Sequence, residues 1–100
     1  MGKDGYWIKV AVDFHPREDG GLRATSSDIP ELVLSSPNVD ALLEDIAPAI
    51  EHIMLMNHNV EIEMKPLTAA KDFLINRGLI NKPDPSLHSV IEFAGYHRAA

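Results

Sequence analysis

Cysteine is absent from this 100-residue chain. That excludes disulfides, Cys-ligated zinc and thiol catalysis. Positive charge is scarce: 9 Lys and Arg stand against 15 Asp and Glu, for a net charge of −6. A chain that wraps nucleic acid needs clustered cations to neutralise phosphates, so this balance argues against direct nucleic-acid binding. No run approaches the ~18 apolar residues of a membrane span. The opening residues 1–7 lack the apolar core of a signal peptide. The expectations are therefore no membrane contact and a cytoplasmic location.

What is present is ordinary for a globular protein. Apolar residues make up 45% and charged residues 24%. The length suits one domain that buries ~65% of its unfolded surface. The charge is uneven. Residues 1–65 hold 5 basic and 12 acidic residues, a net of −7, whereas residues 66–100 hold 4 and 3, a net of +1.

Periodicity divides the chain. Ile8, Val10, Val12 and Phe14 alternate with Lys9, Ala11 and Asp13, the period of a half-buried strand. Residues 15–21, with Pro16, Gly20 and Gly21, form a turn. Leu22–Ser26 returns as a second strand, and Glu31–Ser35 is a third, giving an antiparallel meander. Over residues 37–57 the period changes. Val39, Leu42, Leu43, Ile46, Ile50, Ile53 and Met54 make one apolar helical stripe, capped by Ser36 or Asn38. Pro48 inside it predicts a bend. Val60–Lys65 alternates again as a fourth strand. Leu67 and Thr68 open a short helix, with Ala70, Phe73 and Leu74 on one side and Gly78 past its end. Asp84 and Pro85 then predict a last short helix ending at Gly95.

The resulting fold class is α+β. A β-β-β-α-β sheet carries one long helix on one face and is followed by a short helical C-terminal tail. Strand four is expected parallel to strand three, beside strand one, through a right-handed crossover. The domain reading is residues 1–65 for the sheet and long helix. Residues 66–100 then form a helical extension that packs on the same domain or on a partner subunit. The open sheet face would show Trp7, Lys9, Ala11, Arg23, Thr25, Glu61 and Glu63, and Trp7 there points to a covered surface.

Three features carry a family resemblance: Trp7–Val10, the run Gly21–Pro30 containing Ala24, Ser26, Asp28, Ile29 and Pro30, and Ser35–Leu43. Together they resemble the partial RNase H-like domain of HicB-family antitoxins over about residues 6–64. Glu31 stands where that family usually has Gly, so the turn after Pro30 is expected to differ. The resemblance implies a non-enzymatic module that occludes a small basic toxin, and an oligomer, read here as a homodimer.

No catalytic or cofactor set emerges. Gly20-Gly21 lacks the Lys and Ser/Thr of a phosphate loop. His15, His52, His58, His88 and His97 show no metal-ligand spacing and read as surface or helix-end residues. Ser26-Ser27-Asp28 lacks a nucleophile elbow and reads as turn chemistry, with Asp28 bonding nearby amides. Asp13 and Asp28 are too few carboxylates for a nuclease. No catalytic residue, cofactor or metal is expected.

The candidate partner-binding residues are Asp40, Glu44, Asp45 and Glu51, with Trp7. Asp40, Glu44 and Glu51 share one face of the long helix, with Asp45 and His52 flanking it. One reading is a solvated face, the other a docking stripe for a basic protein. An alternative function is a small acidic phage-encoded inhibitor of a nucleic-acid-binding defence complex, similar to an anti-CRISPR protein. Ile53–Met56 is too apolar for one helix face. It reads as core plus dimer contact, or as an adaptable Met-rich surface.

Overall fold

A computed structural model describes residues 8–80, 84 and 86–97. Trp7 lies outside them. The fold is α+β: a curled, fully antiparallel five-stranded sheet with one long and one short helix. The elements are β1 (Ile8–Pro16), β2 (Leu22–Thr25), β3 (Val33–Ser36), α1 (Val39–His58), β4 (Ile62–Pro66), α2 (Ala70–Asn76) and β5 (Ser89–His97). The strand order is β3-β2-β1-β5-β4.

The period-two reading of β1 holds. Val10, Val12 and Phe14 are fully buried, and Lys9, Ala11, Asp13 and His15 face the other way. The hairpin to β2 turns at Gly20, whose φ of +91° suits glycine. Asp19 braces this turn, accepting from the Gly21 amide at 3.0 Å and from Nε and Nη2 of Arg17. Just past β2, Ser26 and Asp28 take over the ladder with their side chains. Ser26 Oγ donates to the Ala11 carbonyl at 2.6 Å and accepts from the amides of Asp28 and Ile29. Asp28 Oδ2 accepts from the Ala11 amide at 2.8 Å. The expected turn chemistry is thus present, but the amide Asp28 takes belongs to the neighbouring strand and not to its own turn. After Pro30, Glu31 has no positive φ, and its carboxylate accepts from Asn57 Nδ2 at 3.0 Å.

The long helix begins where its cap chemistry places it. Asn38 Oδ1 accepts from the Ala41 amide at 2.9 Å. The helix runs unbroken through the exposed Pro48 and ends at Asn59, in the left-handed region at φ 54°. The Asn59 and Val60 amides return to the carbonyls of Leu55 and Met54. Leu42, Ile46, Ile50 and Met54 are its buried residues. They meet Val10, Val12 and Phe14 of β1, Leu22 and Ala24 of β2, and Ile62 and Met64 of β4 in one core. Leu74 of α2 and Leu79 join the same core, so α2 closes it beside α1. Burying each of these Leu, Ile or Phe side chains contributes roughly 1.5–3 kcal/mol.

Two expectations are corrected. The stretch up to Gly95 is not a helix but the interior strand β5. Ile91 and Phe93 are buried while Val90 and Glu92 are exposed, the alternation of a strand. The cap chemistry at Asp84 closes a single turn, with the Ser86 amide and hydroxyl both on Asp84 Oδ1 and the Leu87 amide on its carbonyl. β-branched and aromatic residues then favour strand over helix. Pro85 lies outside the described residues. Second, β4 runs in the direction of β3 as expected, but it does not lie beside β1. β5 sits between them, pairing with β1 through seven residues and with β4 through five.

Candidate functional site: the α1–β4 side

Both helices lie on one side of the sheet, so the acidic residues of α1 can be located against their neighbours. Asp40 is exposed and Glu51 is half-buried, and each already has a partner within the fold. Asp40 Oδ1 is 2.9 Å from Nζ of Lys71 on α2. Glu51 Oε2 accepts from the Met64 amide of β4 at 2.8 Å. Helical spacing put Asp40, Glu44 and Glu51 on one stripe, but that stripe flanks α2 and β4. Its two ends are engaged within the fold. Glu44 and Asp45 are exposed, and among the described residues no ion pair reaches either.

The Glu51 contact has a further effect. β4 is an edge strand, and along such an edge every second residue turns its N–H and C=O outward. The Leu67 amide bonds the Glu92 carbonyl, which sets Met64 and Pro66 among the outward-turned residues. Glu51 takes the Met64 donor, and Pro66 has no N–H to offer. The β4 edge is thereby closed to strand addition.

Between α1 and the start of β4 runs a groove of about 350 Å³ lined by Pro48, Glu51, His52, Leu55, Glu61 and Ile62. Its walls combine apolar surface with two carboxylates. Leu55 is 40% exposed, and Met56 next to it is 67% exposed, whereas Met54 is buried. The apolar cluster that is too rich for one helix face is thus divided between core and surface. Glu61, which the sequence placed on the open sheet face, lies in this groove instead.

The histidines are surface residues among the described elements, but two of them are not isolated. Asp13 Oδ1 lies 3.0 Å from His88 Nδ1, and its Oδ2 lies 3.5 Å from His15 Nε2. The two imidazoles stack with centroids 5.6 Å apart. The sequence reading starts the turn at His15, but β1 runs on through Pro16, and the period of two then carries Asp13 and His15 to one face; His88, 73 positions away, gave no spacing signal. Two carboxylates have shifted acidity. Asp19 is held below the ordinary value of 3.8, first by the Gly21 amide and then by Arg17. Asp84 is lowered by the Ser86 amide and hydroxyl.

Among the described residues, no group of three or more His, Asp or Glu is placed to hold a metal ion. No helix there is long and apolar enough to cross a membrane. No family model, curated protein or solved structure matches this chain.

Proposed function

We propose that this chain is a protein-binding module of the HicB-antitoxin type, which neutralises a basic protein partner docked against the α1–β4 side. The observation that carries this reading is the groove between α1 and β4, lined by the carboxylates of Glu51 and Glu61, with the exposed Glu44 and Asp45 on the preceding turn of α1. Carboxylates on an accessible apolar-walled cleft attract cations and leave room for the aliphatic stems of Lys and Arg. The element order β1-β2-β3-α1-β4 and the ladder-extending Ser26 and Asp28 support the same reading, because they fall on the motif residues of the resemblance. The module acts by occlusion and performs no chemistry of its own.

Coexpression with a small basic protein encoded beside this chain tests the reading. A stable complex is expected, with relief of that protein's toxicity. Charge reversal at Glu44, Asp45 and Glu61 together should weaken the complex by at least about tenfold without lowering thermal stability. An unchanged affinity, or no complex with any such neighbour, rejects the assignment. Glu51 is an unsuitable position for this test, since it binds the Met64 amide, and Asp40 is already paired with Lys71 at the surface.

A further inference from the structure

The open face of the sheet carries a second cluster that the docking reading does not use. Strand register sets Ser35, Arg23 and His15 side by side across β3, β2 and β1. His88, stacked on His15 at 5.6 Å with an interplanar angle of 20°, continues this row towards β5. Arg17 reaches its other end, donating from Nη1 to Ser35 Oγ at 2.8 Å. Two guanidinium groups and two imidazoles therefore meet along one line of a chain whose net charge is −6.

We propose that this row binds a tetrahedral oxyanion of the phosphate class, and that it does so when its histidines are protonated. The geometry supplies the donors. Asp13 Oδ1 is hydrogen-bonded to His88 Nδ1 and its Oδ2 approaches His15 Nε2 at 3.5 Å, so in each ring the other nitrogen is left off the carboxylate. Arg23 is exposed, and among the described residues no carboxylate pairs with it. Its planar fork suits two oxygens of one anion. Cross-strand pairing brings that fork next to His15.

The charge around the row sets the pH dependence. β1 contributes Asp13, the turn contributes Arg17, Glu18 and Asp19, β2 contributes Arg23, and the segment before β5 contributes His88. Asp28, on the Ala11 amide, and the Lys9–Glu92 pair lie further along the same face. With neutral imidazoles the carboxylates around the row outnumber Arg17 and Arg23, and protonating both rings adds two positive charges beside Arg23 and moves the balance towards an anion.

Sulfate is the discriminating probe, because its charge does not change over the range in which imidazoles titrate. Amide and imidazole NMR shifts of the whole chain are followed against sulfate at about pH 5 and about pH 8. Saturable shifts confined to His15, Arg23, His88 and their neighbours are expected at the acid end, with at least about tenfold weaker binding at the alkaline end. Arg23→Gln and His88→Gln should each lower the acid-end affinity by about tenfold, and Lys71→Gln, on α2, should leave it unchanged. Inorganic phosphate and uridine 5′-monophosphate distinguish the sources. Equal binding of the two identifies a free oxyanion, and clearly tighter binding of the nucleotide identifies a phosphate monoester. Shifts scattered over the surface, equal sulfate affinity at both pH values, or indifference to Arg23→Gln would overturn the proposal.

Discussion

Glu51, halfway along α1, accepts a 2.8 Å hydrogen bond from the backbone amide of Met64 on the edge strand β4. A side chain that looks like part of a solvated acidic stripe therefore seals a sheet edge. Helix and strand are tied at the point where an open ladder would invite another chain.

This tie predicts a separation of two effects. Glu51→Ala should lower stability by about 1–2 kcal/mol, because it removes a charge-assisted bond and leaves an outward amide on an edge. Urea unfolding measures the loss. Glu44→Ala, with no internal partner, should fall within about 0.5 kcal/mol of the wild type. Equal losses at the two positions would mean that the Met64 contact contributes nothing.

Ser26 is the second test of the same principle. It is 7% exposed, and its hydroxyl joins the Ala11 carbonyl to the amides of Asp28 and Ile29. Ser26→Ala deletes one oxygen but strands three backbone groups. A loss of about 2–3 kcal/mol is expected in chemical unfolding, more than an ordinary surface serine would show. Ser27→Ala, its exposed neighbour, should be nearly neutral.

Much of this architecture was legible in the sequence. The alternation in β1, the helical stripe of α1 and the Asn38 cap are local signals, and each appears where the residues indicate. β5 was misread because Asp84 and Pro85 look like a helix start. The alternation of Val90, Ile91, Glu92 and Phe93 prevails, since Ile91 and Phe93 complete the core between β1 and β4. Helical spacing sets Asp40, Glu44 and Glu51 along one line of α1, and only the neighbours in space, Lys71 and Met64, show that Asp40 and Glu51 already have partners within the fold. The union of Asp13, His15 and His88 likewise depends on strand register, which no short-range pattern contains.

Acid should act through the turn carboxylates. Asp19 and Asp84 both have folded values below the ordinary 3.8, chiefly through backbone amides of Gly21 and Ser86. A depressed folded value stabilises the fold above the unfolded value, and that contribution disappears as pH falls through the folded one. Unfolding midpoints should therefore drop as pH is lowered through and below about 4. The double variant Asp19→Asn, Asp84→Asn should show a shallower drop across the same window.

The adjacent glycines of the β1–β2 turn should respond differently to the same added methyl group. At Gly20 the space is open, and the obstacle is the backbone: φ is +91°, a conformation L side chains resist. Gly20→Ala should cost about 1–2 kcal/mol. At Gly21 φ is not positive, but an added Cβ would fall on the Ser36 carbonyl oxygen and 2.5 Å from Pro37 Cα. Both obstacles are backbone, so neither can swing aside as a flexible side chain would. Relief requires parting the turn from the end of β3. Gly21→Ala should therefore cost about 3 kcal/mol and disturb amide shifts at Ser36 and Asn38, across the sheet from the substitution. Gly20→Ala should leave those shifts in place. If the two variants were equally stable, with Ser36 undisturbed in both, close packing of the turn against the end of β3 would be refuted.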